Sequence, residues 1–402
     1  MRVAICCDGE APDELLRDTL VLGSALAEKG HSVHFIVGDP VALVALAGSW
    51  IPNDVYQAPR APAPPQLVMK RPPVDGLSDS MAAAGFDDKQ TLLTLSAIWR
   101  DLLLLLRPDV IVGIRVPIVW LIGPAVATTL AIGNGMALPP VIGPSFPRLS
   151  VDSVELADEQ LMLANANAVL ARFGRRSIAT LSEVMSNCST LLYGLPIFDP
   201  YLQLRRNVTT GALGAMPAPV LPPARRRIVA FLDACCPGIE AIILTLPTLE
   251  GVQVDVHVSR GTAGMRRFLE QQSGIQVWTD HGELLNQSHG ASLVVHHGAQ
   301  DVAQRAICGG QPQFILPWTR EQEVFSYMID WMRLTKTQSP ASSIDQIATA
   351  LRNALDDASL SVAAQHHARQ ISSAAIPNAL PLIVMQIESL RKTPDEQGLA
   401  SL

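Results

Sequence analysis

Charge is scarce in this chain. Of its 402 residues only 17% are Asp, Glu, Lys or Arg, while 48% are hydrophobic; an average soluble domain is about 25% charged. Intrinsic disorder, which needs the opposite balance, is excluded. Basic charge is scarcer still, with 30 Lys and Arg against 37 Asp and Glu and a net charge of −7. The only dense basic run is Arg225-Arg226-Arg227, so nucleic acid, whose binders carry a basic surplus or stripe, is not an expected partner. Six cysteines are too few for a disulfide scaffold, and none sits in a CxxC or Cys/His pattern of zinc spacing. No metal is expected. The adjacent pairs Cys6-Cys7 and Cys235-Cys236 would point to opposite faces of a strand and not bridge. They read as small buried hydrophobes of a reduced, cytoplasmic protein. The apolar stretch at the N-terminus is too short for a signal peptide. Neither the dinucleotide G-x-G-x-x-G fingerprint nor a Walker sequence occurs. Between Val116 and Pro147 there is no charge, but Pro117, Pro124, Pro139 and Pro140 interrupt the run. A buried helix in a layered α/β core explains that run better than a membrane span, with peripheral membrane contact left open.

What is present is a rhythm. Residues 2–7 read as a short buried strand ending at Asp8-Gly9, 13–29 as a helix stopped by Gly30, and 31–37 as a second strand. Such a βαβ unit implies a parallel sheet. The alternation continues through a helix over 89–106, a strand over 109–114, an apolar helix around 120–132, a strand at 140–143, a helix over 156–173 and a strand at 190–193. Residues 57–75 read as a Pro- and Ala-rich surface loop. Residues 205–227, with Pro217, Pro219, Pro222 and Pro223, have the composition of a linker. Beyond it the rhythm restarts, with strands over 227–232, 252–258, 274–278 and 291–296. The expected architecture is therefore α/β, two tandem Rossmann-like domains facing across a cleft. Residues 1–204 form the first, 205–227 the linker, 228–376 the second, and 377–402 a terminal helix returning to the first.

One segment is distinctive. Trp278 precedes a loop; the strand 291–296 runs into His297-Gly298-Ala299. A helix then leads to Gly310-Gln311-Pro312, a strand ending at Pro317, and Glu321-Gln322. In order and spacing this resembles the donor half of nucleotide-sugar glycosyltransferases of the GT-B fold, in particular the antibiotic and macrolide group. Lys29-Gly30-His31 and Arg107-Pro108-Asp109 resemble the family's second and later strand entries. The resemblance implies a transferase taking a nucleotide-diphosphate sugar as donor and a small, hydrophobic molecule as acceptor, inverting, with no metal or other cofactor.

It also implies roles. Trp278 offers a flat face for a base. His297, Gly298 and Ala299 lie where a strand feeds a helix N-terminus, a place suited to a diphosphate. Glu321 and Gln322 can accept and donate hydrogen bonds to sugar hydroxyls, although an acidic first turn also serves as plain helix capping. The departures are specific. Ala299 stands for the family's second glycine and Asp301 falls in the phosphate loop, where a carboxylate repels a diphosphate unless it serves as the helix N-cap. Asp280-His281 replaces Pro-Gln after the Trp, and Arg260 or Arg320 could restore positive charge. No histidine lies between Met1 and His31, where the family's base would be, and the segment Gly113-Ile114-Arg115 carries no Asp. Asp13 and Glu14, with Asp18 behind them, are the carboxylates nearest that place. Two alternatives stay open: a catalytically inactive glycosyltransferase-like partner protein, and a nucleotide-sugar epimerase on the same fold. A homo-oligomer is open as well.

Overall fold

The structure is a computed structural model describing residues 1–7, 13–48, 50, 52–60, 76–149, 157–206, 209–221, 225–374 and 376–390. The expected turn at Asp8-Gly9, most of the 57–75 loop and Pro222-Pro223 lie outside the described residues. Two compact units emerge, one of Met1–Gly214 with the segment from Asn378 onward, the other of Ala215–Pro377.

In the first unit the elements are β1 (Arg2–Cys7), α1 (Asp13–Glu28), β2 (Ser32–Val37), α2 (Pro40–Leu46), β3 (Asp54–Gln57), α3 (Leu77–Met81), α4 (Lys89–Leu106), β4 (Val110–Ile114), α5 (Pro117–Ile122), β5 (Thr128–Gly133), α6 (Glu159–Arg172) and β6 (Ser189–Leu192). They build a six-stranded parallel sheet in the order β3-β2-β1-β4-β5-β6. Strands covered on both faces must be apolar throughout, and β4, Val-Ile-Val-Gly-Ile, is buried at all five positions. Alternation assigns the faces: Ala4, Cys6 and Ile111 pack under α4, α5 and α6, while Val3, Ile5, Cys7 and Val112 pack under α1. Cys6 and Cys7 thus point apart, and neither forms a disulfide.

Local chemistry sets the ends. Gly30 turns the chain after α1 at φ +82°, and Asp88 caps α4 by accepting the Thr91 N–H at 2.7 Å. The apolar run after Val116 departs from expectation. Instead of one helix to Ile132 followed by a strand at 140–143, α5 ends at Ile122, a single 3₁₀ turn holds Pro124, and Thr128–Gly133 is a strand. Pro124 cannot continue the helix, and the β-branched Thr128-Thr129 favour extension. In the leucine run 102–106, Leu103 and Leu106 face the core and Leu105 is 77% exposed.

The second unit holds β7 (Arg227–Asp233), α7 (Ile239–Thr245), β8 (Gln253–Ser259), α8 (Ala263–Glu270), β9 (Ile275–Val277), α9 (His281–Gln287), β10 (Leu293–His296), α10 (Gln300–Gly309), β11 (Gln313–Ile315), α11 (Arg320–Trp331), β12 (Thr335–Thr337), α12 (Ile344–Asp356) and α13 (Ala358–Ser373). Its sheet is again parallel and six-stranded, ordered β12-β11-β10-β7-β8-β9. Ala230, Leu232 and Val295 face α7 and α12; Val229, Phe231 and Val294 face α9 and α10. This is a three-layer doubly wound domain, like the first.

The segment 205–227 is shared between the units. Arg205 is buried against Asp199, and Thr210 donates its N–H to the Leu192 carbonyl at 2.9 Å. From Ala215 the chain belongs to the second unit. The last described helix, α14 (Ala379–Ser389), places Ala379, Ile383, Val384 and Ile387 in the α1 face of the first unit.

Candidate functional site

In each sheet the strand order reverses once, between β1 and β4 in the first and between β7 and β10 in the second. Ligands of open α/β sheets bind outside the carboxyl ends of the strands at such points. At the second one the chain exits β7 at Asp233 and β10 at His296.

Asp233 accepts the Cys235 N–H at 2.8 Å, which shapes the loop, and pairs with Arg260 at the end of the adjacent β8. Arg260 is held at φ +56°. The cation that could balance a diphosphate is therefore already engaged with a carboxylate. Arg320 pairs with Glu323 at 3.1 Å.

Consecutive histidines at the end of β10 take different roles because neighbouring side chains leave a strand on opposite sides. His296 is fully buried. Its Nε2–H donates to Gln313 Oε1 at 2.8 Å and its Nδ1 accepts the Gly298 N–H at 3.0 Å. Burial pushes its pKa down to about 4, so it is a neutral structural link between β10 and β11. His297, 5% exposed, donates from Nδ1 to the Leu316 carbonyl at 2.8 Å, and its Nε2 is buried without a hydrogen-bond partner among the described residues. Burial holds this imidazole below its ordinary value, opposed by the Leu316 bond and by the charge of Asp233. A buried polar atom lacking a partner is rare enough to require an explanation.

Gly298 has φ +100°, and a Cβ there would lie 3.1 Å from Cβ and 3.3 Å from Cα of Gln322. Glycine is required twice over, by conformation and by contact. Ala299, by contrast, is the N-cap of α10 at φ −68° and ψ 124°, which any L-residue adopts. Alanine in place of a family glycine is thus free of backbone strain.

Asp301 is not the N-cap. It stands in the first turn of α10, accepts the Val302 N–H at 2.8 Å, and faces His281 Nε2 at 3.3 Å. His281 packs between two rings, tilted against Phe231 at 4.8 Å and edge-on to His257 at 5.4 Å between ring centroids. Asp280 caps α9 through the Glu283 N–H. The pair that replaces Pro-Gln thus serves as a cap and a core ring.

Trp278, at the end of β9, is half-buried against the Phe231, Leu284 and Val302 cluster that Ala299 also joins. Its backbone is pinned on both sides, N–H to Val256 at 2.8 Å and carbonyl to His257 Nδ1 at 3.0 Å. Gln322 belongs to a capping box with Thr319. Its Oε1 accepts the N–H groups of Trp318 and Thr319 at 2.9 and 3.2 Å, so its oxygen is committed to the cap and the Nε2 donors are what it can offer a ligand. Glu321, half-buried, precedes it.

The structure thus places His297, Gly298, Ala299 and Gln322 together, with Trp278, at the carboxyl ends of the second sheet's strands. Asp13 and Glu14 belong to the first unit, half-buried in the first turn of α1. Asp18, a turn further on, accepts the hydroxyl of buried Tyr193. Arg115 follows β4 at φ +49° and donates to Ser80 Oγ at 3.2 Å. The residues that sequence reasoning missed are Gln313, Leu316 and Thr319, which orient His296, His297 and Gln322. Only the last left a local signal, the T-x-x-Q spacing. Among the described residues no group of three His, Cys, Asp or Glu could hold a metal, and no helix is long and apolar enough to cross a membrane.

No family model matches the chain, nor does any curated protein sequence. Solved structures do. The calicheamicin glycosyltransferase CalG4 superposes with a TM-score of 0.65 at 13% identity, over 97% of this chain and 98% of that one. The spinosyn rhamnosyltransferase SpnG complexed with thymidine diphosphate gives 0.61 at 16%, over 96% and 100%. The glycosyltransferase SnogD from Streptomyces nogalater gives 0.57 at 17%, over 96% and 99%. The chain therefore has the two-domain GT-B fold found in antibiotic glycosyltransferases.

Proposed function

We propose that this protein is a glycosyltransferase that moves a sugar from a nucleoside diphosphate sugar to a small, hydrophobic acceptor with inversion. One observation carries the donor half: a buried imidazole nitrogen without a partner among the described residues, His297 Nε2, at the point where the second sheet reverses its strand order. In this reading the base lies against Trp278 and the diphosphate against His297 and the start of α10. Gln322 Nε2 and Glu321 serve the sugar hydroxyls. The acceptor hydroxyl attacks the anomeric carbon in line, its proton passing to Asp13 or Glu14. The bond from that carbon to the phosphate oxygen breaks, and the leaving diphosphate carries the electron pair, its charge stabilised by preorganised donors. SpnG with thymidine diphosphate supports a nucleotide on this fold.

A second reading, a glycosyltransferase-like partner protein without activity, draws on two features. Asp301 engages an amide of the α10 N-terminus, and the Gly298 N–H is already given to His296. The experiment that separates the two is release of nucleoside diphosphate from uridine and thymidine diphosphate glucose in the presence of hydrophobic aglycones. Acceptor-dependent release, reduced in Asp13→Asn or Glu14→Gln, supports the transferase. Nucleotide binding with no turnover supports the partner protein, and release of an isomerised donor without acceptor supports an epimerase.

A further inference from the structure

We infer that a nucleotide sugar binds the second unit with the uptake of one proton, taken by His297 at Nε2. The inference rests on the donor-site reading above and concerns the state in which the ring meets the diphosphate. Nδ1 lies 2.8 Å from the Leu316 carbonyl, a group that only accepts, so Nδ1 carries hydrogen. A neutral imidazole has one N–H. Nε2 therefore presents a lone pair, and it has no partner among the described residues. The diphosphate of a nucleotide sugar offers only acceptor oxygens near neutral pH. A lone pair set against them repels; a proton on Nε2 converts that contact into a charge-assisted hydrogen bond. Switching tautomer instead would sacrifice the Leu316 bond and leave a buried carbonyl facing a lone pair.

The surroundings fit this assignment. Asp233 at the end of β7 favours the protonated ring, while its partner Arg260 at the end of β8 tempers that effect. On the same strand His296 has both nitrogens engaged and stays neutral. Asp301 on α10 is drawn to His281. From β11 the ring meets the Leu316 carbonyl, and α11 brings Arg320 and Glu321 in its first turn. Burial keeps the unliganded ring below its ordinary value, so the free protein is neutral there at pH 7 and the proton arrives with the ligand.

Calorimetry of the full chain with uridine and thymidine diphosphate glucose tests this, because their phosphates do not titrate between pH 6.5 and 8.5. In buffers of different ionisation enthalpy at pH 7.5, about one proton should be taken up, and affinity should fall about tenfold per pH unit. In His297→Gln, uptake should vanish and affinity should lose its pH dependence. Binding of the wild type without proton exchange, or uptake retained in His297→Gln, overturns the inference. If that variant fails to fold, histidine-labelled wild type gives the answer by NMR. One imidazolium signal at pH 8 in the complex, absent in the free protein, is expected; none in the complex overturns it. Absence of binding at every pH overturns the donor-site reading, and this inference with it.

Discussion

Gly298→Ala is the sharpest perturbation of the site. The residue sits at φ +100°, and the new Cβ would come 3.1 Å from Cβ and 3.3 Å from Cα of Gln322. The backbone penalty for an L-residue at positive φ is about 1–2 kcal/mol. Relief of the close contact must move Gln322, whose Oε1 holds the N–H groups of Trp318 and Thr319; loosening a cap costs about 1 kcal/mol. The sum is about 2–3 kcal/mol, or roughly 4–12 °C in the melting of a unit this size. Ala299→Gly is the matched control, since φ −68° imposes no strain and the change should cost below about 1 kcal/mol. Denaturant unfolding of the full chain should be followed by Trp fluorescence, with the second unit's transition fitted separately because two units need not unfold together. Equal stability of the two variants would refute the argument that contact with Gln322 dictates glycine here.

Other outcomes follow from the same structure. The pKa of His296 in the folded state, about 4, lies below its unfolded value near 6.5. The unfolded chain therefore binds the extra proton first, and stability that is complete above pH 6.5 is lost as pH falls towards 4, by about 3 kcal/mol; an unfolding free energy independent of pH across that window contradicts the assignment. Gln322→Ala should destabilise the second unit by about 1 kcal/mol through the lost cap, while Gln322→Glu, which keeps the acceptor oxygen, should restore most of it; urea titration distinguishes them. Ile383→Ala, at a fully buried site facing α1, should cost about 2–5 kcal/mol. That loss should appear in the first unit's transition, and a loss confined to the second unit's would contradict the place of α14.

Much of this fold is legible in the chain because strands buried on both faces and amphipathic helices carry different periods. The run after Val116 defeats that signal. A wholly buried helix, Pro117–Ile122, and a strand buried at all but its first residue, Thr128–Gly133, read alike as apolar sequence. At the site, the residue types were visible but their commitments were not. That Gln313 would take the His296 Nε2–H depends on the register of β10 against β11, and that Asp301 would meet His281 depends on the packing of α9 beside α10. Neither is local in sequence. Glycine at 298 and alanine at 299 read as one match and one departure from the resembled motif. The dihedral angles show that only the first needs glycine.

The central claim is a nucleotide-sugar site on the second unit's strand ends. Its most direct test is equilibrium binding of a panel of nucleoside diphosphates to the wild type, Trp278→Ala and His297→Ala. Loss of a stacked base should weaken binding by about 1–3 kcal/mol, or about 5- to 150-fold. A comparable loss is expected on removing the imidazole, measured at a temperature where both variants are folded, since His297→Ala also gives up the bond to the Leu316 carbonyl. A nucleotide that binds all three proteins equally would contradict the account and move the site elsewhere.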